Sequence, residues 1–283
     1  MTELTLFMVI FSLQIILLSA YFPSRILARA RYIQQNYPAS THPRLYPQSP
    51  EFFNRTMTLY FGVNAANFVL GWVILYFIYT GDLVGEEGIN PMLPWGYFML
   101  QMIPSQLLEW FGFRMAKLMK QQDQRTVKTA QLKPRRLTDH VSPMLLAAVV
   151  LSYVGFVFLG LFLENFEITS NSKTLIMSGI LLGGFMIFWL CAWWLIKGKT
   201  KDPYQSSEDR QKTVRMAINT FCFTLIACCG FMALTLLIEA YELKAVMPIM
   251  MSLFLQLLVI ISMGFMLNKC RVENIDFDVY RAS

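Results

Sequence analysis

Seven blocks of about twenty apolar residues recur along this chain, and no other feature of the sequence constrains its fold as strongly. They cover 4–22, 57–80, 94–115, 143–163, 174–196, 216–238 and 247–267. A helix of about twenty residues matches the ~30 Å hydrocarbon core of a bilayer. A soluble helical core would need helices with one polar face, and these blocks have none. The sequence therefore predicts an all-α fold: a polytopic transmembrane helical bundle of about seven spans forming a single domain over 1–283. Charged residues are 15% of the chain, against ~25% in soluble domains.

Lys and Arg set the expected orientation. The connections after the first, third and fifth blocks and the tail after the seventh hold 22 of the 24 basic residues, leaving only Lys173 and Lys244 on the other side. The positive-inside rule then places the N-terminus outside and the C-terminus in the cytoplasm. The first block has only Glu3 ahead of it and Arg25, Arg29 and Arg31 behind it. That is the reverse of a cleaved signal peptide, so the block is expected to stay as an anchor. Compact connections fit a bacterial inner membrane.

The net charge of +6 lies in the connections, beside lipid headgroups. Nucleic acid is not an expected partner; the lipid bilayer is, together with other membrane or cytosolic proteins. No cofactor or metal is expected. The five cysteines (Cys191, Cys222, Cys228, Cys229 and Cys270) show no CxxC or Cys/His spacing. His42 and His140 lie in connections, so two histidines cannot hold a haem within the spans. The last block has no lysine for a retinal Schiff base, and no Walker loop, GxSxG or HExxH occurs.

Three local features carry structural expectations. Trp95, Tyr97, Trp193 and Trp194 sit where interfacial anchors belong. Pro38, Pro43, Pro47 and Pro50 suggest an extended, stiff first connection. Ser206, three residues before Asp209, reads as a helix N-cap.

Polar groups inside a span are costly, so they mark candidate sites. In the third block Gln101, Ser105 and Glu109 are spaced four apart, which is expected to put them on one helical face, with Pro104 between them. The second block carries Tyr60, Asn64, Asn67 and Gly71, and Asn219, Gln14 and Gln256 are positioned to extend the cluster. Two readings follow. In one, Glu109 is a proton- or cation-binding carboxylate in a site open to the cytoplasm. In the other, which carries more weight, Glu109 lies at the interface and the amides tie helices together. Gly179 and Gly183 form a GxxxG spacing expected to let helices approach closely.

The first functional expectation is a non-catalytic membrane module acting through helix–helix or cytoplasmic-loop association. A small-solute or ion transporter or channel subunit using the Glu109 carboxylate comes second. An intramembrane enzyme comes third, because no paired acid, nucleophile or metal set accompanies Glu109.

Overall fold

The computed structural model describes residues 3–85, 88–123, 136–167, 169, 172–198, 202–269 and 272–281. Glu86, Glu87, Arg125, Lys128, Lys133, Arg135, Lys199, Lys201, Cys270 and Arg271 lie outside them. Each apolar block falls within one long helical run. These are α1 (Glu3–Asn36), α2 (Pro50–Thr80), α3 (Met92–Gln122), α4 (Pro143–Leu163), α5 (Lys173–Lys197), α6 (Ser207–Ala240) and α7 (Lys244–Asn268). Six of them are long and apolar enough to cross a membrane. The exception is α3, whose 31 residues include Gln101, Ser105, Gln106, Glu109 and Arg114. The result is an all-α bundle of the kind that integral membrane proteins form.

Two helices bend their ladders without breaking. Pro23 lies inside α1, where it lacks an N–H and its ring crowds the carbonyl one turn back. The chain accommodates it by widening into a π turn at Leu17–Tyr21, with the Phe22 N–H donating to the Leu17 carbonyl. In α7 the π turn Ile260–Gly264 contains Ser262, whose hydroxyl donates to the carbonyls of Leu258 at 2.9 Å and Val259 at 3.3 Å.

The helices pack in two groups. One comprises α1, α2, α3 and α7, with Phe7, Phe11, Ile15, Leu75, Ile78 and Tyr97 in its core. The other comprises α4, α5 and α6, centred on Phe156, Leu181, Cys229 and Leu236. Phe231 of α6 stacks on Phe254 of α7 at 4.1 Å between ring centroids and joins the groups.

At the basic end of the bundle, the first connection is folded, not extended. The N–H groups of Thr41 and His42 both donate to the Pro38 carbonyl, and Pro43–Leu45 forms a 3-10 turn. Pro50 belongs to the first turn of α2, where its missing N–H costs nothing. The C-terminal tail packs onto this connection. Phe277 stacks on Tyr37 at 4.1 Å, and the Tyr280 hydroxyl donates to Asp202. Ser206 caps α6 by accepting from the Asp209 N–H at 3.1 Å. The Asp209 carboxylate does not turn back to close a capping box; it accepts from the tail N–H of Asp276 at 3.1 Å.

At the opposite end, β1 (Val84–Gly85) and β2 (Gly88–Ile89) pair antiparallel in the α2–α3 connection. Glu164 holds the start of α5, accepting from the Ser172 hydroxyl at 2.5 Å and the Thr174 N–H at 3.1 Å. Lys173 forms an ion pair with Glu239.

Candidate functional site

The polar residues of the first helix group form one hydrogen-bonded chain across four helices. It begins on α7, where the Gln256 side-chain N–H donates to the Ser252 hydroxyl at 3.3 Å and to the Ile10 carbonyl at 3.0 Å. Ser252 donates to Gln14 Oε1 at 2.6 Å. Gln14 Nε2 donates to Gln101 Oε1 at 3.2 Å and to the Pro94 carbonyl at 3.3 Å. Gln101 Nε2 donates to Ser19 Oγ at 2.8 Å, and Ser19 lies 3.5 Å from the Tyr97 hydroxyl. Because Tyr97 donates its own proton to the Asn67 carbonyl at 2.7 Å, the Ser19 hydroxyl is the donor to Tyr97.

Asn67 completes the chain and repairs a defect. Pro104 has no N–H, so the Leu100 carbonyl one turn earlier lacks its helical partner. The side-chain amide of Asn67 donates to that carbonyl at 2.9 Å. In an apolar surrounding an unpaired carbonyl is expensive, and here α2 supplies what α3 cannot. Gly71, a helical turn beyond Asn67, leaves room for Tyr97 to lie against α2 and reach the Asn67 carbonyl. A Cβ there would stand 2.7 Å from Ile15 Cγ1 and 2.8 Å from Tyr97 Cζ.

The chain has no charged member. Among the described residues the buried side-chain polar atoms without a partner are His42 Nε2, Tyr46 OH and Thr174 Oγ1, and none belongs to it. Its donors and acceptors are matched to one another, which suits holding helices in register.

The structure separates the residues that the sequence grouped. Gln101, Asn64 and Asn67 are buried, Ser105 is half-buried and Glu109 is exposed. Asn64 donates within its own helix, to the Tyr60 carbonyl at 2.7 Å. Asn219 is half-buried on α6, in the other helix group, and no described hydrogen bond joins it to the chain. Glu109 is flanked by exposed Trp110 and Phe113, so it faces away from the amides. The reason is rotation: a spacing of four advances about 40° per step at ~100° per residue. Two such steps carry position 109 about 80° from position 101. Tyr60, Asn64, Asn67 and Gly71 alternate steps of four and three, which keeps all four buried on one stripe.

Two further sequence expectations change. Tyr97 is not an interfacial anchor: it is buried against Gly71 and Phe11, while Trp95 and Trp194 are exposed. Gly179 and Gly183 are exposed, with open space where a Cβ would stand, so this chain makes no close helix contact there. Close approach occurs at Gly160, where an added Cβ would stand 2.5 Å from Thr174 Cγ2. Ser19 and Ser252 were not singled out by sequence, since a serine in an apolar block usually bonds its own helix.

Among the described residues outside the spans, three groups have displaced ionisation, the first being the Tyr46 phenol, which burial raises. The Ser172 hydrogen bond, outweighing desolvation, lowers the Glu164 carboxyl, with the Thr174 and Lys173 N–H groups adding to the effect. Burial raises the Tyr280 phenol, and the charge of Asp202 raises it further. Tyr280 therefore stays protonated and serves as a donor at neutral pH.

Comparison with known proteins finds no matching family model, curated protein or solved structure.

Proposed function

We propose that the protein is a non-catalytic membrane module that acts by association, through its helices and its basic-end connections. The observation behind this reading is the closed, uncharged hydrogen-bond chain. The membrane-depth polar groups are matched to one another, and the carboxylate that would carry a proton or cation lies on the outside of the bundle. On this reading α3 is the seventh crossing; its 31 residues reach about 46 Å at 1.5 Å per residue. The positive-inside rule supports an external N-terminus and a cytoplasmic C-terminus. An inner membrane fits the compact connections. Glu109 then lies toward the inner interface, where its carboxylate reaches headgroup water.

Reconstitution tests the reading. The wild-type protein in liposomes should pass none of a broad panel of ions and small solutes, while protein extracted gently from its membrane should carry a stoichiometric partner. A proton- or cation-coupled flux that Glu109→Gln abolishes would overturn it.

A further inference from the structure

Between the polar second half of α1 and the start of α2 lies a crevice of about 270 Å³, close to the lower end of the ~300–1,000 Å³ of small-ligand sites. Its lining is graded. The hydrogen bond from Gln34 Nε2 to Asn54 Oδ1, 3.1 Å long, fixes the antiparallel register at one end. Arg31, Met57 and Thr58 follow, and Leu27 and Phe61 close the other end. Polarity thus runs from amides through a guanidinium to hydrocarbon along one groove.

The gradient matches membrane depth. Counting back from Thr80 the ~20 residues that cross a 30 Å core reaches Phe61. Met57 and Thr58 then lie ~5–6 Å beyond the hydrocarbon edge, and Asn54 ~10 Å beyond it. A headgroup layer is ~5–8 Å thick on each side, so Arg31 sits at phosphate level while Leu27 and Phe61 sit at acyl level. Arg31 is exposed and has no ion pair among the described residues. Its planar fork suits a phosphate monoanion.

We propose that this crevice binds one anionic phospholipid, with the phosphate on Arg31 and an acyl chain along Leu27, Met57 and Phe61. The site goes beyond the association reading and does not depend on it. Free inorganic phosphate shares the headgroup chemistry but not the acyl contacts.

Native mass spectrometry of the full chain released from nanodiscs of phosphatidylcholine doped with phosphatidylglycerol tests the site. The wild type should retain one phosphatidylglycerol. Arg31→Gln should lower retention about fivefold, the ~1 kcal/mol per basic residue at an anionic surface converted at 1.4 kcal/mol per decade. Arg55→Gln removes the same charge one position beyond Asn54 without lining the crevice, and should leave retention unchanged. Phe61→Ala should weaken lipid retention. Millimolar inorganic phosphate should not displace the lipid. Equal losses in Arg31→Gln and Arg55→Gln would show only diffuse attraction and overturn the site, as would unchanged retention in Arg31→Gln. Displacement by inorganic phosphate with no effect of Phe61→Ala would reassign the crevice to a free anion and overturn the lipid proposal. Helical circular dichroism and an unchanged elution volume verify folding of each variant.

Discussion

The two helix groups are built from similar apolar blocks but are held together differently. In the first group, the most apolar stretches of α1 and α7 are 33% and 39% buried within the chain; in the second, those of α4 and α5 are 11% and 17% buried. Both groups use a glycine for a close contact, Gly71 in one and Gly160 in the other. Only the first adds a hydrogen-bond chain linking every helix it contains. Among its described residues, the second joins α4 to α5 within the helices by a Tyr153–Ser178 hydroxyl pair at 2.5 Å, with the Glu164 bonds to Ser172 and Thr174 at the helix ends, and leaves Leu151, Phe158, Ile180 and Trp194 uncovered. In a bilayer the hydrophobic effect does not drive helices together, so packing and polar contacts decide what holds. The first group is therefore the internally fixed half, and the second presents the larger surface to its surroundings.

The same substitution in each half gives the widest contrast. Gly71→Leu pushes a side chain into Ile15 and Tyr97 and pulls Tyr97 away from Asn67. The expected loss is about 3 kcal/mol, the upper part of the usual overpacking range, read as a large fall in melting temperature in detergent. Gln14→Leu comes next. It removes three side-chain hydrogen bonds, to Pro94, Gln101 and Ser252. At ~0.6 kcal/mol for each such bond in a membrane, the cost is about 2 kcal/mol. If Gln14→Leu melts like the wild type, the chain is not what fixes the first group.

Glu164→Gln acts on the second group at the end away from the basic connections and should cost about 1 kcal/mol, the scale of a lost helix cap. Its sign with pH is defined. The folded carboxyl lies below its ordinary value of 4.5, so its contribution is complete above that value and is lost as pH falls through the folded pKa. Melting curves of wild type and variant should converge below that point. Divergence on acidification would refute the assigned hydrogen bonds. Gly183→Leu should have the smallest effect, under ~0.5 kcal/mol for the isolated chain, as for other exposed positions. A loss as large as that at Gly71 would show that α5 packs within the chain at Gly183.

The long helices were present in the sequence, whereas their division into two groups was not, and the missing part has a definite cause. The apolar blocks predicted every long helix, because a twenty-residue run has one economical conformation in hydrocarbon. The stripe Tyr60, Asn64, Asn67 and Gly71 was legible since its alternating spacing stays in phase with the helix. Gln101, Ser105 and Glu109 looked equivalent but drift out of phase, so the carboxylate leaves the face that the amide occupies. Which glycine makes the close contact was not legible. Gly179 and Gly183 have the familiar spacing, whereas Gly71 and Gly160 are single residues whose partners, Tyr97 and Thr174, come from other helices. The folded basic end was equally hidden, because the stacking of Phe277 on Tyr37 depends on a tail that returns from the far end of the sequence.

The most direct test of the association account is photocrosslinking in the native membrane from a benzophenone side chain placed at position 183, with position 69 as the reference. Val69 lies on the exposed side of α2, in the internally fixed group. Association through α5 should give a discrete protein–protein adduct from position 183 and only lipid adducts from position 69. Lipid adducts alone from position 183, in membranes where the protein is at its natural level, would contradict it.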